Sequence, residues 1–574
     1  MLAIVGQMVY YLYMASIVGK KQGNKTYYYL VESARVNGKP RIVSQQYLGS
    51  ADEIAERLSG SGPGEPARVQ SRSFGALAAV WSVIERIDIV GIIDDVVGRR
   101  RCDAAASVGT YIAMAIANRV VAPCSKLAFG DWWETTIGPR LVKLPAGATD
   151  HRRFWDAMDA ISDEHLDQIE ARVTAAIVAE YHLDLTALVL DMTNFATFID
   201  SANARNTIAQ RGHAKQKRSD LRIVGLAMIV TCDGGIPIYS HAYEGNRPDV
   251  TQFGAAIETL AARWGDQASD DSDLTVVFDA GCDSAANQTL IENLGVHFVG
   301  SLVVTNHRDL LAVAASKFTP LEGFDGVTYY ETRTEALGAN RRVIVTHSDT
   351  FHDAQVRGFE QSLTKARRRL RELAARLARG KTRRARPAVE ADIAAIVRDD
   401  RVNQIIDWEL TGDTATQLRL TWTTNATARR RLEREIFGKR ILFTDHDHRP
   451  VAAIVTAYRS QADIEAGFRQ LKDPHTIAVN PMFHWTDQKI RVHALYSVAA
   501  LAVAHLMRRQ AHHAHLDLSV RELLRHLNTI NEITMLYPNS GKGRPRARRI
   551  LTDLDPTQRR LYNLFNLDTY APTR

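Results

Sequence analysis

Apolar and polar positions change rhythm several times along the chain, and each change predicts an element. The run KTYYYLVESARVNGKPRIVSQQYLG sets two β-rich segments around Asn37-Gly38, a dipeptide suited to a tight hairpin turn. A Gly/Pro/Ser stretch from Ser59 to Ser73 then reads as a linker. Between Gly75 and about Tyr181, apolar residues recur at threes and fours in ALAAVWSVIERIDIVGIIDDVV, TYIAMAIANRV and DEHLDQIEARVTAAIVAEY, which predicts a helical region. At Leu183 the rhythm changes. LTALVLDMTN is a buried-strand run carrying Asp191, and LRIVGLAMIVTCDGGIPIYSHAYEGN predicts two strands joined at Asp233-Gly234-Gly235. A helix from Thr251 to Trp264 leads to the strand LTVVFDAG with Asp279 at its end. A helix from Ala285 to Leu294 and the strand VHFVGSL follow. Three strands in succession, then alternating helix and strand, predict an α/β fold with a mixed sheet and helices packed on it.

From Thr305 to Pro450 the strand-like pieces RRVIVTH, QLRLTW and KRILFTD surround a basic helical segment, KARRRLRELAARLARGKTRRARP. The stretch YRSQADIEAGFRQLKD, Tyr458 to Asp473, reads as one helix. Its Tyr458, Glu465 and Lys472 recur at sevens and share a face. Glu465 and Arg469 also form an i,i+4 pair, the arrangement of many surface ion pairs. ALYSVAALAVAHLM, Ala494 to Met507, is flanked by Arg491, Arg508 and Arg509; too short to span a bilayer, it predicts a buried core helix. The opening MLAIVGQMVYYLYMASIVG lacks the basic start and cleavage site of a signal peptide. Met1 to Tyr13 read as an extension upstream of a start at Met14. No membrane segment is expected.

A chain of 574 residues exceeds one core and suggests roughly three or four domains. With 45% apolar and 24% charged residues it is globular, not disordered. The net charge of +7 favours a polyanionic partner, and its distribution sharpens that. Between Lys365 and Arg386 stand 11 Lys/Arg and one acid. So many like charges favour nucleic-acid contact over a solvated face, with Arg367, Arg368, Arg369, Arg383 and Arg384 as candidates. GKGRPRARR, Gly541 to Arg549, is loop-like; its Lys542, Arg544 and Arg546 read equally as a phosphate-gripping arm or a solubilising linker. Cys102, Cys124, Cys232 and Cys282 form no CxxC pair, which argues against a zinc ribbon or disulfide framework and fits a reducing cytoplasm. HHAH at His512 to His515 and DHDH at Asp445 to His448 lack zinc-site spacing and read as surface histidines.

The carboxylates carry more. Asp191 and Asp279 each close a buried strand, at the sheet edge where ligands bind in α/β proteins. With Glu465 on a later helix, they propose a geometry in which three carboxylates hold two Mg²⁺ (or Mn²⁺) ions about 3.5–4 Å apart, suited to in-line phosphoryl displacement. Asp283 reads as an N-cap for the helix after it.

The order strand-Asp, strand-Asp, helix-Glu resembles the RNase H-like DDE transposases of bacterial insertion sequences. The segment around Glu465 resembles the Y-(2)-R-(3)-E-(6)-K signature of the IS-four superfamily, with Tyr458, Gln461, Glu465 and Lys472 at its positions. Gln461 stands where the signature has arginine, which bears on that arginine's DNA contact and not on the acid. IANRVVAPCSKLAFGDWWETT, EGNRPDVTQF, FDAGCDSAANQTLIENLGVHFVGSL and FHWTDQKIRVHALYSVAAL extend the resemblance, in order from about Ser16 to Leu567, to the IS-sixteen-thirty-four-like group. It implies an RNase H-like core interrupted by a mainly β-stranded insertion. The expected parts are an N-terminal hairpin region (1–58), a linker (59–73), a helical DNA-binding or dimerisation region (74–181), core (182–304), insertion with the basic helix (305–450), final core helices (451–510) and a basic helical C-terminal region (511–574). By resemblance Asp191, Asp279 and Glu465 are the catalytic, metal-holding acids. Tyr458 and Lys472, at the signature's flanking positions, would contact DNA near the scissile phosphate, and Gln461 and Arg469 on the same segment are further DNA-binding candidates. The implied activity is cut-and-paste transposition at terminal inverted repeats. The implied partners are double-stranded end and target DNA and a second copy in a synaptic homodimer, acting at the nucleoid. Two alternatives stand beside it: an RNase H-like nuclease that cuts without joining, and a non-catalytic DNA-binding repressor of transposase descent.

Overall fold

A computed structural model describes residues 14–23, 25–36, 39–58, 65–98, 105–200, 202–216, 218, 220–264, 274–381, 383–537 and 546–572. The Asn37-Gly38 turn, the segment Met1 to Tyr13, Lys542, Arg544 and the Arg546 side chain lie outside the described residues. Met1–Arg72, Asn531–Asp553 and Ala571–Arg574 form one compact unit, and Ser73–Ile530 with Leu554–Tyr570 form a second.

In the first unit β1 (Met14–Gln22), β2 (Lys25–Val36) and β3 (Lys39–Ser50) make an antiparallel sheet in that order. β2 and β3 are the two expected runs, and Tyr29 stands opposite Tyr47 with the rings edge-on at 5.3 Å. β1 is an unexpected third strand. A short helix, α1 (Ala51–Leu58), follows, and then β4 (Arg68–Ser73) occupies the end of the segment read as a linker. Its polar residues carry little strand signal; the strand exists because a distant partner satisfies its backbone.

The second unit begins with the expected helical region: α2 (Gly75–Ile87), α3 (Ile89–Val97), α4 (Val108–Val121), α5 (Phe129–Glu134), α6 (Gly138–Leu141), α7 (His151–Asp159) and α8 (Asp163–Tyr181). Side-chain caps set several starts: Ser107 on α4, Asp150 on α7, and a Ser162/His165 capping box on α8. The sheet-bearing part runs β5 (Ala187–Ala196), β6 (Ile223–Thr231), β7 (Pro237–Glu244), α9 (Asp249–Trp264), β8 (Thr275–Phe278), α10 (Ala285–Asn293), β9 (His297–Ser301), α11 (Arg308–Leu311), β10 (Thr319–Pro320), β11 (Val327–Ala336) and β12 (Ala339–Ser348). Then come α12 (Asp349–Ala378), α13 (Arg386–Ile396), α14 (Asp400–Asn403), β13 (Ile406–Thr411), β14 (Arg419–Thr424), α15 (Ala426–Glu435) and β15 (Lys439–Thr444). Nine strands form one mixed sheet in the order β10-β11-β12-β15-β9-β8-β5-β6-β7. β5, β8 and β9 are mutually parallel; the other described pairings are antiparallel. Leu188, Leu190 and Met192 of β5 join Phe253, Phe278, Phe298 and Phe443 in the core on one side.

Two features depart from the sequence reading. β11, β12 and β15 belong to the main sheet, so only the excursion between β12 and β15 stands apart, and it is helical with one hairpin, β13–β14, instead of mainly β-stranded. Its core forms because Phe359, Leu363, Ala366, Leu370, Leu373 and Leu377 recur at fours and threes along α12 and bury one stripe. The same spacing leaves Arg368 and Arg369 exposed on the opposite side. The second departure is a break in the helix expected from Tyr458 to Asp473. α16 (Val451–Arg459) stops at Ser460 and α17 (Gln461–Lys472) starts after it, so Tyr458 lies on a different helix from Glu465 and Lys472. Ser460 donates its N–H to Ala457 and accepts from Asp463, both tight three-residue turns that interrupt the α ladder.

α18 (Asp487–His513) is 27 residues, long and apolar enough by composition to cross a membrane, but its apolar residues are largely buried, and it packs on α4 and β7 as the expected core helix. After α19 (Val520–Asn528), β16 (Asn531–Tyr537) and β17 (Arg546–Leu551) return to the first unit in a sheet ordered β17-β16-β4. Arg546 to Arg549 are therefore strand, not the loop that their Gly/Pro spacing suggested, and the C-terminal region is not wholly helical. α20 (Pro556–Leu564) opens with an Asp555/Gln558 capping box.

Gly245, in the run EGNRPD, leaves no room for a side chain: a Cβ there would overlap the Ile223 carbonyl, a backbone group that cannot rotate away. Gly245→Ala is expected to lower the thermal unfolding midpoint, corresponding to a loss of about 1–3 kcal/mol. An unchanged midpoint in a calorimetric scan would contradict this packing.

Candidate active site

The register of β5 against β8 sets the site. Val189 pairs with Val277, and the same parallel register carried two residues further brings Asp191 level with Asp279. Asp279 immediately follows β8, whereas Asp191 does not close its strand as expected from sequence: β5 runs on to Ala196 through its pairing with β6, and Asp191 lies just past the stretch paired with β8. Each spends its Oδ1 on the protein. Asp191 accepts from the Met192 N–H at 2.7 Å. Asp279 accepts from the Ala280 N–H at 2.7 Å and from Ser301 Oγ at 2.9 Å. Among the described residues, Oδ2 of neither acid has a hydrogen-bond partner.

Further acids surround this pair. Burial, with the charges of Asp279 and Asp249 adding, pushes Asp191 up to about 6, against the lowering effects of the Met192 N–H and of Lys215. Asp283 rises to about 7 through burial and the Asp279 charge, and its buried Oδ1 has no partner. It is not the N-cap expected from sequence: Ser284 caps α10, accepting from the Asn287 N–H at 3.1 Å. Cys282 lies among these carboxylates, and burial and their charges raise its thiol far above the usual range. Asp249 was not among the sequence candidates, because an acid in the first turn of a helix is an ordinary dipole partner. Its oxygens accept from Tyr243 Oη at 2.8 Å and pair with Lys215 Nζ at 3.0 Å, while Lys215 also reaches the Met192 carbonyl at 2.6 Å. Half-buried oxygen donors beside one another, with unused lone pairs, fit a hard divalent cation such as Mg²⁺.

α17 packs against β5. Asp191 and Thr193 share a face of that strand, opposite to Leu190 and Met192 in the core. Lys472 bonds Thr193 Oγ1 at 2.5 Å and lies 5.5 Å from the Phe195 ring. Burial, helped by Lys215 and opposed by Asp191, lowers its ammonium to about 8. Glu465, on the same helix, is exposed and pairs with Arg469 at 3.6 Å, with no bond to either aspartate. It lines a cleft of about 230 Å³ with Tyr458, Gln461, Arg440 and Arg459. Gln461 is buried there, its Nε2 without a partner. Tyr458 links cleft and acids despite the helix break. Its hydroxyl accepts from Arg440 at 3.2 Å, and burial, with the Asp279 charge behind it, raises its phenol while a bond with Ser301 opposes. Ser301 is thus a residue that sequence reasoning missed; a serine at a strand end carries no signal.

The basic candidates are solvent-facing or locally paired. Arg367 bonds Thr424 at 3.1 Å, Arg368 pairs with Glu372 at 3.8 Å, Arg369 and Arg383 are exposed, and Arg384 pairs with Asp392. DHDH is not a surface cluster throughout. His446 is buried, its Nε2 2.8 Å from Thr275 Oγ1 and 3.2 Å from Arg449, while Asp445 meets His297 Nδ1 at 2.9 Å. Sheet pairing brings His297 there, which spacing along the chain could not show. Among the described residues His297, Asp445 and His446 are the one trio with ligand atoms within 4.8 Å of one another. They stand at the starts of β8 and β9, the edge opposite Asp279, and the Arg449 cation already holds His446. His512, His513 and His515 are exposed, as expected.

A nine-stranded mixed sheet with paired carboxylates at its edge, flanked by a helix bearing Glu and Lys, is the setting in which the comparisons fall. Residues 184–493, more than half of the chain, match the family described as Transposase DDE domain, and the chain belongs to that family. It is a transposase by family. No curated protein matches it. Among solved structures it is similar to a piggyBac transposase synaptic complex with hairpin DNA, at a TM-score of 0.36 and 9% identity over 88% of this chain and 85% of that one.

The raised Asp191 has a stability consequence in metal-free protein. The folded state holds this proton more tightly than the unfolded chain, so stability falls as pH rises from about 4 through about 6. Asp191→Asn is expected to unfold a few degrees above wild type at pH 7.5 in EDTA, with the difference gone near pH 4. Coincident melting curves at both pH values would show that the carboxylate is not strained.

Proposed function

We propose that this transposase cuts and rejoins DNA at the ends of its own element, with Asp191, Asp279 and Glu465 as the reacting-site acids. The observation that carries the reading is the in-register pair Asp191, half-buried, and Asp279, exposed beside it, the charge of one raising the other and each with Oδ2 unused. The two Oδ2 atoms and the Glu465 carboxylate would hold the divalent ions, two Mg²⁺ or Mn²⁺. When bound, such ions supply Lewis-acid stabilisation of the oxygens that gain charge during phosphoryl displacement.

The chain's own groups orient and bind. The Met192 and Ala280 N–H groups and Ser301 Oγ hold the Oδ1 atoms of the two aspartates and leave each Oδ2 for a ligand. For Glu465 to join them it would have to leave Arg469, and an exposed ion pair worth about 0–1 kcal/mol is a small barrier to that release. Released, Arg469 faces DNA. Lys472, near pH 7 mostly charged, meets a phosphate beside Asp191. Gln461 brings no charge to the cleft, so Arg440 and Arg459, with Tyr458, contact the DNA backbone there. The exposed arginines of α12, with Arg383 and Arg384, bind phosphates further along the duplex, and the Lys542-Arg544-Arg546 stretch is a second such arm. Cleavage at terminal inverted repeats frees 3′-hydroxyls that attack target DNA, two copies of the chain holding the two ends, in the cytoplasm at the nucleoid.

With Mg²⁺ and a DNA fragment carrying the element's ends, purified protein is expected to give joined products. Asp191→Ala, Asp279→Ala and Glu465→Ala should each reduce them at least a hundredfold. Cleavage without joining would make the chain a nuclease, and binding alone a repressor; normal joining by Glu465→Ala would remove that residue from the site. The α12 face has its own signature. Arg368→Ala/Arg369→Ala should weaken duplex binding evenly across sequences and reduce the slope of log affinity against log salt by about 2. An unchanged slope in fluorescence anisotropy titrations would take this face out of the DNA path.

A further inference from the structure

Two of the runs that resemble the family, IANRVVAPCSKLAFGDWWETT and FHWTDQKIRVHALYSVAAL, have no part in the chemistry above. The second unit folds them against each other around a cavity of about 590 Å³. Its floor is cationic. Arg119 is buried, and its guanidinium bonds only the carbonyls of Ala478 at 2.9 Å and Cys124 at 3.1 Å. Lys126 Nζ meets Tyr496 Oη at 2.9 Å and His484 Nε2 at 3.2 Å. Among the described residues no carboxylate pairs with either cation. His484 is 8% exposed, and its Nδ1 has no partner. Burial and the neighbouring Lys126 and Arg119 cations keep its ring neutral; because Nε2 accepts from the Lys126 ammonium, the ring proton stands on Nδ1, which is left free to donate to a ligand. The rim is the opposite in character: Trp155, Phe483 and Trp485 are 44%, 59% and 58% exposed.

A buried and a half-buried cation without counter-charges call for an anion, and flat rings left in water beside them call for an apolar face. A nucleotide carries both on one molecule, a phosphate and a planar base, and stacking on aromatic rings is how unpaired bases are held. A paired base cannot enter, because its face is covered by its neighbours in the duplex. The place is also right. Phe198 lies just past β5, donates its N–H to the Met482 carbonyl at 3.0 Å and packs its ring 5.5 Å from Phe483. The rim is therefore tied to the strand that carries Asp191, seven residues away, on the order of 20 Å along the chain. We propose that this cavity binds one unpaired nucleotide of the DNA on which the transposase acts, its phosphate on Arg119 and Lys126 and its base against Trp155, Phe483 and Trp485. The proposal rests on the DNA-processing reading but needs neither the acids nor a metal ion.

The test uses the full chain in EDTA and three duplexes: one with a single bulged 2-aminopurine, one with an abasic bulge, and one fully paired. The 2-aminopurine duplex is expected to bind about tenfold more tightly than the other two, with its fluorescence quenched on binding. Trp485→Ala and Trp155→Ala, both at exposed rings whose removal leaves the core intact, should abolish the preference and the quench without changing affinity for paired DNA. Trp485→Phe should restore both. Equal binding of the abasic and 2-aminopurine bulges would reduce the cavity to an anion site and overturn the proposal. So would a quench that survives both alanine variants. If Trp485→Ala instead turned a DNA-free dimer into a monomer in sedimentation, the rim would be a subunit contact and the proposal would fall. Because no strand is cut in EDTA, loss of the preference leaves the transposition assay standing, and loss of joining there leaves the cavity standing.

Discussion

The parallel pairing of β5 with β8 is the constraint on which the rest depends. It places two aspartates side by side, where partial burial and the charge of Asp279 make Asp191 harder to ionise. Backbone N–H groups from the residues just after each acid, and Ser301 from the next strand, hold the pair in place despite that repulsion. Such an arrangement has a cost that a bound cation would offset. Lys215 and Lys472 lower the repulsion around Asp191 without filling the free lone pairs.

Around that edge the sheet grows outward in both directions. β6 and β7 on one side complete the three strands in succession, and β9, β15, β12 and β11 extend it on the other. The long excursion between β12 and β15 can leave and return without disturbing the edge because β12 and β15 pair with each other. The break at Ser460 has a similar logic. A continuous helix would carry Tyr458 on the same rod as Glu465. Splitting it lets α16 bury Tyr458 toward Ser301 and Asp279 while α17 lies across β5 with Glu465 facing solvent.

The core of this architecture was legible because local rules and tertiary contacts agree there. LTALVLDMTN, LTVVFDAG and VHFVGSL are apolar runs too short for helices, each buried on both faces of a sheet, and each became a strand. Asp191 and Asp279 stood out together, because two acids following apolar strand runs, with a glutamate on a later helix, make a set that one turn-forming aspartate does not. The weaker inferences failed where pairing, not propensity, decides. RVQSRS has no strand rhythm yet pairs with β16, and Arg546 to Arg549 look like loop yet form β17. Asp283 has the composition of a cap, but Ser284 takes the position and leaves the aspartate facing Asp279.

By itself the sequence determined the element types in the long periodic segments, the identity of the two strand acids, the basic stripe of α12 and a family resemblance. These are properties of neighbours within a turn or a strand, where spacing translates directly into geometry. Only the tertiary structure decided which acids meet, that Asp249, Asp283 and Ser301 attend them, that His446 is buried against His297, and that Arg119 faces Trp485 across a cavity. Those contacts join residues tens to hundreds of positions apart, and their closeness is set by sheet order and helix packing, which no local pattern encodes.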